Sequence, residues 1–192
     1  MQFFYTGAST YLGQQNDPNL SLGGFISNTV VSNGTLDNIF SDLSYQTVQQ
    51  KRQEVRGLIF KNTINTDALS VSFGYQYPDA PTFKLEVAFV NINSNTPQII
   101  EKIANGQANP YYATFVEANV DPTNNIDNSV DIGDLLDGTS IAVWFRRKIV
   151  SGLTPPSFPD LLTEMQWWEN FTNPEADSSQ LIKLMINYNT NQ

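Results

Sequence analysis

Apolar and polar positions alternate with a period of two over long stretches of this chain. Leu69, Val71, Phe73, Tyr75 and Tyr77 alternate with Ser70, Ser72, Gly74 and Gln76, the pattern of a strand with one buried face. Pro78 and Pro81 interrupt it, and Phe83, Leu85, Val87 and Phe89 then repeat it, with Lys84 and Glu86 facing out. Residues 54–62 predict an earlier strand, closed by an Asn/Thr-rich turn that runs to Asp67. Residues 111–117 predict a later one, and Val130 and Ile132 mark a short strand. After the turn at Asp137-Gly138, residues 139–150 form the last strong strand, with Ile141, Val143 and Phe145 inward. Residues 97–104 fit either a short helix or a strand. The turns leave no room for crossover helices, so antiparallel pairing follows. About seven strands between residues 54 and 150 predict a mainly β fold, an antiparallel sandwich of immunoglobulin-like or jelly-roll-like form.

The two ends of the chain read differently. Residues 2–6 are a short aromatic strand ended by Gly7, and 8–20 are polar, with a turn signal at Asn16-Asp17-Pro18. Gly23-Gly24 allows close backbone approach or positive φ. Asn33-Gly34 signals a tight turn, and Leu36, Ile39, Phe40 and Leu43 have the spacing of a single helical turn. A long irregular segment is usually functional. Because the strands from 54 to 150 look nearly complete without it, residues 1–45 are expected to be a strand plus an extended arm, and 46–152 the sandwich core. Residues 153–192 are expected to be a second arm, entered through the proline-rich hinge at 154–159. A helix is expected over 160–171, capped by Ser157 or Asp160, with Leu161, Leu162, Met165 and Trp168 on its apolar face. Residues 178–187 fit a strand or a helix.

Composition narrows the chemistry. The 192 residues include no cysteine and no histidine. That excludes Cys-His and Ser-His-Asp catalysis within this chain, together with disulfides and zinc-thiolate sites. Ten basic against nineteen acidic residues give a net charge of −9, which disfavours broad binding to phosphate backbones. Residues 1–8 carry no basic region and no long apolar run, so they do not read as a secretory signal. No stretch has the roughly 20 apolar residues of a membrane span. Carboxylate, lysine or tyrosine chemistry stays open on composition, and we expect no cofactor, metal, nucleic acid or membrane partner.

The remaining candidates are weak individually. Asp127, Ser129, Asp131 and Asp134 approach a calcium-loop pattern, but Ile132 stands where glycine is needed and the terminal glutamate is missing. Arg146, Arg147 and Lys148 are consecutive in a strand and therefore point to alternating faces. They read first as solvated strand-end charges, and second as partners for an acidic patch on a neighbouring copy. Glu164 and Glu169 fall on different helix faces. Trp167 and Trp168 lie about 100° apart on a helix, so either one packs inward and the other is an anchor for a partner, or a wide apolar face buries both. Tyr75, Tyr77, Tyr111 and Tyr112 are candidate exposed aromatics for a carbohydrate.

Several ordered motifs carry a family resemblance. They are Phe-Tyr-Thr-Gly-Ala at 4–8, Ser-Leu-Gly-Gly at 21–24 and Asn-Gly-x-Leu-x-Asn-x-Phe-Ser-Asp-x-Ser at 33–44. A strand at 53–62 ending in Lys-Asn, Lys-Leu-Glu-Val-Ala at 84–88 and Gly-x-x-Ile-x-x-Trp-x-x-Arg at 138–147 complete the set. Over residues 1 to about 150 the chain resembles virion proteins of tailed bacteriophages, in particular crAss-like phages of Bacteroides. The resemblance implies a structural role in the virion and no enzyme activity, for a protein made in the host bacterial cytoplasm. The implied place is a homo-oligomeric ring in the neck (the head–tail connection) or tail, among other neck, tail or capsid proteins. Capsid decoration is the first alternative, and a carbohydrate- or receptor-binding module the second. On this reading Leu22, Phe25, Ile26, Ile39, Phe40, Arg146, Arg147, Trp167 and Trp168 are the candidate interface residues.

Overall fold

The computed structural model describes residues 1–33, 38–40, 53–76, 83–90, 99–121, 126–149 and 183–190. The described chain is mainly β, with antiparallel sheets and one short 3-10 turn at Pro18–Leu20. Its strands are β1 (Gln2–Ala8), β2 (Gly24–Val30), β3 (Gln53–Lys61), β4 (Ala68–Gln76), β5 (Phe83–Val90) and β6 (Ile99–Ile100). They continue with β7 (Val120–Asp121), β8 (Ile126–Asp127), β9 (Val130–Leu135), β10 (Ser140–Ile149) and β11 (Lys183–Thr190). The larger sheet runs β5-β10-β3-β1-β2-β6 and the smaller runs β11-β4-β9, while β7 and β8 form a separate pair.

The centre of the large sheet is β3, whose residues 55–60 are all buried. A run buried on both faces needs cover on both sides. On one face Leu58 and Phe60 join Tyr5, Leu85, Val87, Ile141, Val143 and Phe145, and together these meet Val71, Phe73 and Tyr75 of β4. The two sheets thus share one apolar core, in which each fully buried side chain of this size contributes about 1.5–3 kcal/mol. On the other face Val55, Ile59, Ala88, Ala142 and Trp144 pack with Ile26, Ile100 and Ile103. Residues 99–115 cover that face.

The lead is not an arm up to residue 30. Strand β1 lies between β3 and β2, with Gln2–Tyr5 opposite Leu58–Lys61. The open edge of β3 needs a neighbour, and the aromatic residues 3–5 supply it, so this sheet is incomplete without the lead. Tyr5 belongs to the first core and Ile26 to the second. The lead's two glycine motifs meet there. Thr6 Oγ1 donates to Gly57 O at 2.6 Å and accepts from Gly23 N at 3.1 Å, and Thr6 N donates to Ser21 Oγ at 3.2 Å. Gln15 Nε2 donates to Thr6 O. Thr6 and Ser21 are fully buried. Gly23 has the expected positive φ, +89°.

Other expectations change in detail. The period-two pattern of β4 holds from Val71 to Tyr75, but Ser70 at φ +50° inserts a bulge. The extra residue puts Ala68, not Leu69, on the core side. Tyr75 is fully buried, so it offers no surface to a sugar. Residues 111–117 form no strand. The Tyr111 N–H is taken by Glu101 Oε2 at 2.7 Å, and Val116 alone pairs with Val87 of β5. The open alternative at 97–104 resolves into the two-residue β6. Of the alternative at 178–187, residues 178–182 lie outside the described residues, and the rest falls in β11, paired antiparallel with β4 from Lys183 to Thr190. The helix expected over 160–171, with Trp167, Trp168, Glu164 and Glu169, lies outside the described residues, as do Tyr77, Leu36 and Leu43.

A buried asparagine closes the corner between β3 and β4. Asn62 Nδ2 donates to Thr66 O and to Leu135 O, both at 2.8 Å, while its Oδ1 accepts from Ile64 N at 3.1 Å. Its own N–H reaches Thr139 O at 2.9 Å. One carboxamide therefore ties the corner to the end of β9, and the backbone ties it to the start of β10.

Candidate functional site

The basic residues of β10 sort by strand parity. Arg147 faces the first core and is 6% exposed. Its Nε donates to Glu54 Oε2 at 2.9 Å, and its Nη2 reaches the same carboxylate. The guanidinium lies over the rings of Phe40 and Phe83, 4.8 and 5.7 Å from their centroids. Arg146 and Lys148 point to the other face, where both bind Glu86. Arg146 also stacks over Phe115, 4.0 Å from its centroid. The separation into two faces is as the sequence predicts. The partners are a correction: the carboxylates belong to the same chain, because β3 and β5 flank β10 and place Glu54 and Glu86 opposite Arg147 and Arg146.

Burial raises the pKa of Glu86, but the hydrogen bonds and charges of Arg146 and Lys148 together outweigh it and hold the carboxyl below its ordinary value of 4.5. A depressed folded pKa gives stability that is complete above the unfolded value and is lost as pH falls through the folded one. Urea unfolding of the native chain and of Glu86→Gln should therefore differ most near neutral pH. The difference should shrink steadily below pH 4.5. An unchanged difference at pH 3 would refute this role.

Beside this cluster lies a polar cleft of about 370 Å³, lined by Asn19, Glu54, Arg56, Asn105, Gly106 and Gln107. Arg56 is 4% exposed. Its Nη1 donates to Val55 O at 3.0 Å, its Nη2 donates to Asn19 Oδ1 at 2.8 Å, and Nη2 lies 3.9 Å from Glu54 Oε1. Its Nε is buried with no hydrogen-bond partner. Phe40 lies over it, 5.6 Å from centroid to guanidinium carbon. Burial lowers the Arg56 pKa, and Arg147 adds to that, while Glu54 and Asp17 oppose it. Gly106 lets the guanidinium lie close to the backbone: a Cβ there would stand 2.4 Å from Arg56 Nη1, and the end of the arginine would have to shift.

Most candidate interface residues in the lead are engaged within their own chain. Ile26 is buried in the second core, and Leu22 packs against it. Ile39 and Phe40 pack against the first core, and Phe25 is half-buried. Trp167 and Trp168 lie outside the described residues. In the acidic segment, Asp127 Oδ1 accepts from Ser129 N, Asp131 Oδ1 from Gly133 N and Asp134 Oδ1 from Ser70 N. These bonds fix local turns, and among the described residues no three acidic side chains gather to hold a metal ion. Tyr111 and Tyr112 are 82% and 80% exposed, in edge-to-face contact at 4.8 Å.

Sequence reasoning missed Glu54 and Arg56. The signal was present: both share strand parity with Leu58 and Phe60, so two charges stand at inward positions of an apolar strand. No protein-family model, curated protein or solved structure matches the chain.

Proposed function

We propose that this chain is a non-enzymatic structural subunit of a tailed-phage virion. It is assembled in multiple copies as a ring at the neck or tail, on an antiparallel β-sandwich of immunoglobulin-like or jelly-roll-like form. The reading rests on the resemblance to crAss-like phage virion proteins. The observation that supports it best is where the shared motifs fall. Thr6 of the first motif hydrogen-bonds with Ser21 and Gly23 of the second, and Gly7 closes against the Leu20 carbonyl just before it. Trp144 of the last is buried against Gly57. Motifs that build a framework fit a protein selected for shape and contacts. Silencing the reading frame during infection tests the proposal. The expected result is heads and tails that accumulate unjoined, while joined, infectious particles in normal yield would overturn it.

Capsid decoration is the alternative within the same class, distinguished by hundreds of copies per particle. A carbohydrate- or receptor-binding role draws on the exposed Tyr111–Tyr112 pair, since an aromatic pair open to solvent suits stacking on a sugar face. A glycan array without binders removes that reading.

A further inference from the structure

Among the described residues the two main sheets end in four edge strands, β5 and β6 on the larger and β9 and β11 on the smaller. An open edge is a row of unpaired N–H and C=O groups that accepts another strand. Proteins block such edges with bulges, charges, very short strands or a covering loop. Three of the four are blocked here. On β5 the N–H and C=O of Val87 are both taken by Val116, at 2.8 Å each, and Lys84 and Glu86 lie along the strand. β6 is two residues long. On β9, one step of β4 from Val71 to Ser72 faces two steps from Gly133 to Asp131, so Ile132 is an extra residue that kinks the edge. Asp131 and Asp134 add charge to it.

β11 carries none of these devices. After Lys183 it reads Leu-Met-Ile-Asn-Tyr-Asn-Thr, with no charge, proline or glycine. The bulge in its pairing belongs to β4: Ile186 to Thr190 is four steps, opposite the five from Phe73 to Ala68, so β11 itself is regular. Leu184 and Ile186 pack against the first core. By alternation Tyr188 and Thr190 follow on that side, with Met185, Asn187 and Asn189 on the other. Residues 187–190 are all exposed.

We propose that this edge pairs with the β11 edge of a second copy, antiparallel about a two-fold axis through Asn187. The β9-β4-β11 sheet of one copy then continues into the β11-β4-β9 sheet of its partner. The strand is self-complementary in this register. Its uncharged run, 184–190, has Asn187 at its centre, so only this register pairs all of it. Opposed residues share a face, which sets Ile186 against Tyr188 and Leu184 against Thr190 on the core side; aromatic and β-branched neighbours of this kind stabilise sheets. Antiparallel pairing holds the two Lys183 side chains roughly 27 Å apart, whereas parallel pairing would set them side by side. The contact consumes the open edge of both copies, so it stops at a dimer. It is isologous, and a ring needs a heterologous contact. The inference therefore goes beyond the ring reading, and its failure leaves that reading untouched.

Cysteine cross-linking of the full chain tests the contact, because the native sequence contains no cysteine. Asn187→Cys sets two thiols on the axis, where directly opposed Cα atoms lie about 4.5–5.5 Å apart, within disulfide reach. Mild oxidation is expected to convert it to a covalent dimer. Met185→Cys and Asn189→Cys should each stay largely uncross-linked alone and cross-link when mixed, because 185 opposes 189. Tyr111→Cys, at a residue 82% exposed elsewhere on the surface, measures random collision. In sedimentation the native dimer should persist as salt is raised, since no charge pair holds it. Asn187→Lys brings two like charges together at the axis and should weaken association about tenfold or more at low salt. A native chain that stays monomeric at millimolar concentration overturns the proposal. So does cross-linking of Asn187→Cys no faster than that of Tyr111→Cys, or a mixed pair that reacts no better than its members alone.

Discussion

Trp144→Ala is expected to lower the free energy of unfolding by about 3–5 kcal/mol, the cost of removing a large aromatic from a packed interior. The side chain is 1% exposed and lies on the face of the large sheet covered by residues 99–115. Its ring fills the space above Gly57, where a Cβ would approach Cζ3 to 2.8 Å. Glycine has no side chain to move into the vacated volume, so the cavity persists and the loss should fall toward the upper end of that range. Urea denaturation followed by far-ultraviolet circular dichroism reads the change as a lower midpoint. Tyr111→Ala, at a residue 82% exposed, should shift stability by less than about 0.5 kcal/mol. A similar loss in both variants would mean that the second face of the sheet is not packed as described.

Gly23→Ala should destabilise by about 3 kcal/mol or more, from left-handed backbone strain and overpacking together. Gly23 has φ +89°, and a Cβ there would stand 1.9 Å from the carbonyl oxygen of Glu101. The obstacle is backbone, held in place by the Ile103 N–H bond to Leu22 O at 2.9 Å. Relief would pull Gly23 N from Thr6 Oγ1 and loosen the knot that fixes the lead to β3. Gly24→Ala is the control. Its φ is also positive, +85°, but nothing lies within 4 Å of the added carbon, so it should cost only about 1–2 kcal/mol. Equal losses at the two positions would contradict the close approach.

The contrast between these glycines shows what was legible in the sequence. Gly23-Gly24 announces a special backbone, but the nearness of Glu101 depends on a segment almost eighty positions away. The alternation of Phe83 to Phe89 fixes which residues of β5 face the first core, because a strand's parity is local, but it does not show that the opposite face is covered too, with Ala88 buried there and Glu86 largely so. The same reasoning fails at Leu69, where the Ser70 bulge shifts parity by one. It also fails for residues 1–30. Counting strands between 54 and 150 does not reveal that β3 has an open edge, and pairing of Gln2–Tyr5 with Leu58–Lys61 is a long-range fact. The candidate site follows the same division. Parity separates Arg147 from Arg146 and Lys148 correctly. Their partners Glu54 and Glu86 come from β3 and β5, and only the register places them.

The central claim is that the chain is a built-in part of a phage particle. Quantitative mass spectrometry of gradient-purified particles tests it most directly. The account predicts this chain at a fixed copy number per particle, far below the hundreds of a capsid decoration, as expected for one closed ring. Its absence from purified particles, with the protein present only in the infected-cell lysate, would contradict the account.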